Sequence, residues 1–225
     1  MEIPFLERQT IEERANELCR AAFGSLPMEA VDLQSLVFDY LYEEQGLAFY
    51  DDRRLGTEEE QEVLGVTYPL KNEIHIDRRL AREGHRGRYR FTVAHEIGHW
   101  VLHRPLFLAS DDIGEDARMI TLQRDVRPAR EESKNSYRPE EWQANQFAIF
   151  LLLNDEALGV AFRRRFGGPP LEPPEDETSE FTERRQFSRH VASAVVDEME
   201  SLADWFELSV EATAIALEER GYVGR

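Results

Sequence analysis

Cysteine is nearly absent from this sequence, since Cys19 is the single one among 225 residues. One thiol excludes a disulfide framework within the chain and is typical of proteins from a reducing compartment. The first residues also lack a basic stretch followed by an apolar run, which is the pattern of a secretory signal. We therefore expect a water-soluble, cytoplasmic protein.

Long apolar runs are missing as well. No segment approaches the roughly 20 apolar residues that a membrane-spanning helix needs, so a membrane protein is not expected. Basic residues are outnumbered, because 27 Lys and Arg stand against 45 Asp and Glu, for a net charge of −18. Such a charge favours solubility and opposes binding to phosphate backbones. With 41% hydrophobic residues, the chain can bury the core of one full domain and a small lobe.

The N-terminal third of the chain predicts two helices and a small sheet. Apolar residues recur at intervals of three and four over residues 10–24 and 28–46, which is the spacing of amphipathic helices. Short β-rich runs follow at residues 47–52, 62–70 and 72–77, broken by glycine and turn residues. We expect these runs to form an antiparallel sheet.

A longer helix is predicted from about residue 89 to residue 103, and it contains the segment RFTVAHEIGHW. Apolar residues mark one face, so this helix is expected to be largely buried. It should end before Pro105, because the residue ahead of a proline disfavours the helical conformation. His103 lies eight residues, or about 12 Å along the axis, from His95. We therefore expect His103 to support a site from outside rather than to bind the same ion as His95.

The spacing of His95 and His99 carries the strongest functional signal. Residues four apart lie one above the other on a helix, so both imidazoles can reach one zinc ion. Glu96 points away from that stripe but can still reach a water on the metal as a general base. Two ordinary core histidines are the alternative. Composition predicts about 0.03 chance HExxH matches in such a chain, which favours the metal site.

A catalytic zinc needs a third protein ligand and an open position for water. Glu141 is one candidate, since Asn145 follows one helical turn later and would orient a histidine. Glu140 and Glu141 equally suit the first turn of a helix because of its dipole. Rival carboxylates closer in sequence are Asp111, Asp112 and Glu115. The residues alone leave the third ligand open.

The chain resembles the ImmA/IrrE family of HExxH metallopeptidases. Four features carry the resemblance: a helical pair with LP between the helices, then NEIHID, RFTVAHEIGHWVLH and EWQANQFAIFLLL. The similarity is specific around residues 90–103 and 141–153 and loose over residues 10–77. The gap of 41 residues between His99 and Glu141 is longer than expected for the family, and residues 123–138 within it are interpreted as an exposed charged loop.

This resemblance implies a zinc site formed by His95, His99 and Glu141, with Glu96 as the catalytic base. It also implies an α+β, gluzincin-like core, in which a strand at the sheet edge beside the active helix binds peptide by β-augmentation. The implied activity is zinc-dependent cleavage of a protein. A helix-turn-helix repressor or antitoxin-like regulator, cleaved in a stress or phage-related response, is the implied substrate.

Two points of function stay open at the level of sequence. His75, His103 and Tyr137 are candidates for stabilising the oxyanion of the reaction. The alternative function is a regulatory protein-binding module that keeps the zinc fold without proteolysis. The intact HExxH motif favours the enzyme, because losing Glu96 would be the simplest way to abandon catalysis.

We expect three parts along the chain: a metallopeptidase core over residues 1–166, a linker rich in Gly, Pro and acid over 167–180, and a helical lobe over 181–225 that resembles a helix-turn-helix. Asn154 and Ser209 are expected to begin helices as N-caps. Residues from 171 onward carry 14 acidic and five basic residues, a net charge of −9. A phosphate-binding face needs clustered Lys and Arg, so we expect a packing or protein-binding lobe rather than a DNA-binding one.

Overall fold

A computed structural model of the chain describes residues 3–82, 86–122, 138–173 and 184–224. Two compact units are present: Met1–Leu26 with Asp32–Leu151, and Pro27–Val31 with Leu152–Arg225. The oxyanion candidate Tyr137 and nearly all of the predicted charged loop lie outside the described residues. The expected mixed α+β fold, with a small sheet and several helices, is confirmed.

The helices of the first unit are α1 (Arg8–Phe23), a π-helix (Ser35–Tyr42), α2 (Arg78–Arg82), α3 (Arg86–Leu108) and α4 (Pro139–Leu152). The second predicted helix begins later than expected. The Asp32 carboxylate accepts hydrogen bonds from the backbone N–H groups of Gln34 and Ser35, at 3.0 and 3.1 Å, and so caps this helix.

The sheet contains β1 (Ala48–Arg53), β2 (Thr57–Glu58), β3 (Gln61–Tyr68), β4 (Glu73–Asp77) and β5 (Met119–Leu122). Its order is β1-β4-β3-β2, and β5 also pairs with β3. β3 is antiparallel to β2, β4 and β5, but β1 is parallel to β4, so the expectation of an all-antiparallel sheet is wrong at that pair. The reason is that the β2–β3 hairpin intervenes, and the chain returns through β4 in the direction of β1.

One face of the sheet packs against α3. Thr67 of β3 hydrogen-bonds to α3, and Ile74 is its cross-strand partner on β4, so both point to this face. His75 points to the opposite face, where its ring lies between those of Tyr50 and Tyr68, with centroids 4.8 and 5.1 Å away. β3 and β4 therefore lie between a face covered by α3 and a face with aromatic side chains.

The expectation that α3 ends before Pro105 is wrong, because the helix continues to Leu108. Proline removes one backbone hydrogen bond from a helix. The last turn persists because Phe107 is buried and the Ala109 N–H donates to the Pro105 carbonyl at 3.1 Å. The full length of α3 is thus available to span the sheet face.

Close contact between α3 and α4 depends on Gly98. A Cβ at residue 98 would stand 3.1 Å from Phe147 side-chain atoms and 3.2 Å from the Ala144 Cα. Small residues at these positions let the two helices approach. This approach brings the histidine stripe of α3 next to the first turns of α4.

The second unit is helical, with α5 (Asp155–Phe166), α6 (Arg184–Ser193), α7 (Leu202–Trp205) and α8 (Val210–Glu219). Asn154 caps α5 by accepting the Ala157 N–H at 2.9 Å, and Ser209 caps α8 by accepting the Ala212 N–H at 3.1 Å. Because α5 belongs to this unit, the boundary between the compact units lies before residue 166, the predicted end of the metallopeptidase core. The predicted division into core, linker and lobe stays a prediction. No described helix combines the length and apolar character that crossing a membrane requires.

Candidate metal centre

Three metal-ligating side chains meet where α3 and α4 are in contact: His95, His99 and Glu141. Their ligand atoms all lie within 4.8 Å of one another. His95 Nε2 is 3.2 Å from Glu141 Oε2, and His99 Nε2 is 3.6 Å from Glu141 Oε1. The two histidines have no exposed surface and Glu141 is 4% exposed. The cluster has the size and ligand chemistry that one ion can bridge.

This cluster brings together more hydrogen-bond acceptor atoms than donor groups. His95 Nδ1 lies 3.0 Å from Asn145 Oδ1 and donates to it, since an amide oxygen only accepts; the neutral ring then presents a lone pair at Nε2. Within the described residues, neither His99 Nε2 nor Glu141 Oε1 has a hydrogen-bond partner. Buried lone pairs that face one another need a cation, so the residues present fit a divalent metal.

Electrostatics within the cluster favour the same conclusion. Burial would raise the pKa of Glu141, but His99 and His95 hold it below its ordinary value. Burial would lower the pKa of His95, but the Glu141 carboxylate raises it above its ordinary value. A positive charge between the two side chains is therefore favoured, and a bound metal ion would take the place of that proton.

His103 lies behind His99 rather than at the cluster. Its Nδ1 is 3.1 Å from His99 Nδ1, and its Nε2 is 3.1 Å from Gln143 Oε1 on α4. Burial, followed by the neighbouring His99, lowers the pKa of His103 to about 3, so its ring is neutral. Asn145 and His103 thus each contact one of the two cluster histidines, as expected for orienting groups.

Glu96 is fully buried beside the cluster, with β3 and β5 around it. Thr67 Oγ1 donates to its Oε2 at 2.6 Å, while Oε1 has no hydrogen-bond partner among the described residues. Burial raises the pKa of Glu96, against the opposing effects of His99 and His95. Thr121 of β5 also lowers this pKa, without reaching the carboxyl at hydrogen-bond geometry. A carboxyl group with a raised pKa and one free oxygen is suited to proton transfer.

The other sequence candidates lie elsewhere. Glu140 pairs with Arg138 at 3.2 Å and is not one of the cluster's ligands. His75 lies on the aromatic face of the sheet, hydrogen-bonded to Glu73 at 2.9 Å, whereas Glu96 contacts the opposite face, so His75 cannot reach an oxyanion at the cluster. The rival carboxylates Asp111, Asp112 and Glu115 are exposed and outside the cluster.

Several residues around the site were not found from the sequence. Gly65 had a signal, because an isolated glycine within the strand pattern EVLGVTY indicates a close approach by another group. Thr67 and Gln143 had none, since the groups that they contact at the site come from distant parts of the chain. The Arg138 guanidinium lies 3.3 Å from Glu141 Oε1 and adds a positive charge at the edge of the cluster.

About half of the chain is similar to a known protein family. Residues 53–167 match the model of Peptidase_M78, described as the IrrE N-terminal-like domain. These 115 residues are about half of the chain and include the parts of α3 and α4 that form the cluster. No curated protein matches the chain.

Proposed function

From the premise that this chain belongs to the IrrE N-terminal-like domain family of peptidases, we propose that it is a zinc-dependent endopeptidase. This membership confirms the resemblance to ImmA/IrrE proteins. The observation that carries the proposal is the buried cluster of His95, His99 and Glu141, with the Glu96 carboxyl beside it. A peptidase family and a metal-ligating cluster together favour hydrolysis of a protein substrate.

Zinc is the metal proposed for this cluster. Two imidazoles and one carboxylate are a ligand set of catalytic zinc sites, which keep a fourth position open. His95 and His99 would bind through Nε2, and Glu141 through its carboxylate. When bound, the ion supplies Lewis acidity to the attacking water and to the scissile carbonyl.

Glu96 is the proposed base, and its hydrogen bonds support different roles for its two carboxylate oxygens. Oε2 accepts the Thr67 hydroxyl, so Oε1 is the oxygen left to take a proton. In the reaction, the water oxygen bonds to the carbonyl carbon as its proton passes to Oε1. Glu96 then gives that proton to the amide nitrogen as the C–N bond breaks.

The β5 strand is the proposed site for the substrate backbone. Among the described strands it pairs with β3, and Thr121 places it next to Glu96, where a substrate backbone could add to the sheet. A cavity of about 510 Å³ lies beside β5; Met119 and Ile120 line it together with Arg138 and Glu140. A peptide extended along β5 would thus lie beside the proposed base.

The proposed substrate and compartment follow from the family resemblance. A helix-turn-helix repressor or antitoxin-like regulator would be cleaved in a cytoplasmic stress or phage-related response. A single cysteine is typical of proteins from a reducing compartment. Burial raises the pKa of the Cys19 thiol to about 11, so the thiol stays protonated and unreactive.

The test compares the zinc-loaded protein with its Glu96→Gln variant. Each is incubated with helix-turn-helix regulators encoded beside it, and fragments are identified by mass spectrometry. The parent protein should cut one of them at a defined bond, whereas the variant should bind zinc and cut nothing, because an amide cannot accept the proton.

One observation favours the alternative function, a protein-binding module without proteolysis. Glu96 has no exposed surface, so a substrate reaches it only if the surroundings open. Binding of a regulator without fragments, by both parent and variant, would support this alternative and contradict the peptidase.

A further inference from the structure

A continuous chain of hydrogen bonds joins the candidate metal centre to the segment before α1. His99 Nδ1 lies 3.1 Å from His103 Nδ1, and His103 Nε2 lies 3.1 Å from Gln143 Oε1. The Gln143 amide nitrogen donates to the Pro4 carbonyl at 2.8 Å. All three side chains have no exposed surface, so water does not compete for the bonds between them.

The Pro4 carbonyl fixes the direction of every proton in this chain, because a carbonyl can only accept. The Gln143 nitrogen must face Pro4, which leaves its oxygen facing His103. His103 Nε2 must therefore donate, and its neutral ring accepts at Nδ1. His99 must then donate from Nδ1, which leaves its Nε2 as the lone pair that points toward Glu141.

Residues 3–7 are held against α4 by more than this bond. The Phe5 ring stacks on Trp142, with centroids 5.6 Å apart and planes 17° apart. At the start of α1, the Arg8 guanidinium lies 5.2 Å from the centre of the Phe150 ring. Contacts with Trp142, Gln143 and Phe150 place the segment along α4, so the position of Pro4 is set by several independent interactions.

We propose that residues 3–7 are a positioning part of the metal centre: the Pro4 carbonyl, acting through Gln143 and His103, selects the tautomer of His99 that binds metal through Nε2. This inference rests on the proposed zinc site. It extends the centre beyond residues 53–167, the part matched by the family model. His95 is oriented directly by Asn145, whereas His99 is oriented through two side chains by a segment 95 residues earlier in the chain.

The physical effect has two parts. A fixed tautomer spares the protein from reorganising His99 when the ion binds. Hydrogen bonds that run in one direction also polarise one another and make the ligand nitrogen more basic. Loss of an outer partner of a metal-bound histidine typically weakens metal binding 10- to 100-fold. Gln143 is one group further from the ion than such a partner, so an effect of about tenfold is expected.

The decisive variant is Gln143→Met, which keeps the side-chain length and removes both hydrogen bonds. Its matched control is Gln146→Met, because Gln146 is also buried on α4 and its side-chain oxygen has no hydrogen-bond partner among the described residues. Zinc affinity is measured by competition with a chromophoric chelator. We expect Gln143→Met to bind zinc about tenfold more weakly and the control to bind as the parent does.

Nitrogen-15 NMR of labelled histidines tests the tautomers directly. In the metal-free parent protein, His103 should carry its proton on Nε2; in the zinc-loaded protein, His99 should carry its proton on Nδ1. In Gln143→Met, the His103 resonances should shift to those of a mixture of tautomers. These signals do not depend on catalysis, and the metal-free spectrum does not depend on zinc.

Phe5→Ala provides a second test that does not disturb the buried core, because Phe5 is 63% exposed. It should loosen residues 3–7 and weaken zinc binding in the same direction as Gln143→Met, by a smaller factor. Phe38→Ala is the control, since Phe38 is 46% exposed and belongs to a different aromatic pair, with Phe49. It should leave zinc affinity unchanged.

Any one of three outcomes would overturn the inference. In the first, Gln143→Met keeps the zinc affinity and the His103 resonances of the parent protein. In the second, Gln146→Met loses as much zinc affinity as Gln143→Met, and in the third, Phe5→Ala binds zinc as tightly as the parent. If the parent protein bound no zinc at all, the proposed peptidase would fail instead. The metal-free His103 spectrum would still decide whether the chain of hydrogen bonds exists.

Discussion

Gly65 on β3 lies directly against Glu96 on α3. A Cβ built at residue 65 would stand 2.2 Å from Oε1 of that carboxyl group and 2.6 Å from its carbon. Both distances are far below van der Waals contact. The strand can pass the proposed base only because residue 65 has no side chain, and this absence leaves room for the oxygen that would take the proton.

Gly65→Ala should therefore impair catalysis more than metal binding. The added methyl group must push the Glu96 carboxyl away from its position, and a displacement of about 1 Å at a catalytic group costs about 100-fold in rate. Zinc content, measured by elemental analysis, should stay at about one per chain. Gly114→Ala is the control, because nothing lies within 4 Å of a Cβ there. Parent-like activity in Gly65→Ala would remove Glu96 as the base.

The third ligand gives a second prediction. Glu141→Ala should weaken zinc binding tenfold or more, because loss of a residue that only hydrogen-bonds to a metal ligand already weakens binding by about tenfold. Glu140→Ala is the matched control on the same turn, since Glu140 pairs with Arg138. It should change only stability, by about 0.3–1 kcal/mol from the helix dipole. Chelator competition would contradict the assignment if Glu141→Ala bound zinc normally while Asp111→Ala or Asp112→Ala lost it.

The sequence could predict those parts of the site and fold that depend on neighbours in the chain. The spacing of His95 and His99 is enough to place both on one helical face. Asn154 and Ser209 cap their helices because the groups they bind are three residues away. In these cases the interacting atoms are brought together by local backbone geometry alone.

Long-range pairings could not be predicted in the same way. The β5 strand has only four residues, and it is held by pairing with β3, more than 50 residues earlier. The bond from Gln143 to Pro4 joins residues 139 positions apart. Nothing in the local sequence marks either partner, because burial and backbone geometry of the folded chain create the contact.

Asp77 provides a prediction on stability and pH. It is fully buried and accepts the backbone N–H of Leu55 at 2.8 Å and the N–H groups of Arg79 at 2.9 and 2.8 Å. Burial would raise the pKa of Asp77, but these bonds from Arg79 and Leu55 hold it below its ordinary value. Its ionised form therefore stabilises the fold above about pH 4, and this contribution is lost as the pH falls through the lower folded-state pKa.

Asp77→Asn should lower the free energy of unfolding at pH 7 by about 1.5–3 kcal/mol, the range for hydrogen bonds to a charged group. The difference from the parent protein should shrink as the pH falls below about 4, where the parent carboxylate takes up its proton. Urea unfolding at several pH values measures both. Asp39→Asn at an exposed position is the control. A difference that stays constant down to acid pH would show that the charge of Asp77 is not responsible.

The second unit gives the last prediction, which concerns DNA. The helical lobe predicted over residues 181–225 resembles a helix-turn-helix, which suggests a DNA-binding surface, but the arginines of α6 are engaged within this lobe. Arg185 pairs with Glu218 at 3.0 Å, Arg189 with Glu211, and Arg184 donates to the backbone carbonyls of Glu218 and Val223. Affinity for DNA comes mainly from clustered cations that contact phosphates.

We therefore expect no tight complex with duplex DNA at about 150 mM salt. Fluorescence anisotropy with a labelled duplex, across a range of salt concentrations, measures this directly. Any weak association at low salt should disappear as salt rises, because cations from the salt then compete with the protein for the phosphates. It should not depend on base sequence, because phosphate contacts carry no sequence information. A sub-micromolar complex that prefers one sequence would contradict this prediction. It would mean that the paired arginines exchange their carboxylate partners for phosphates, and that the unit reads DNA despite its net charge.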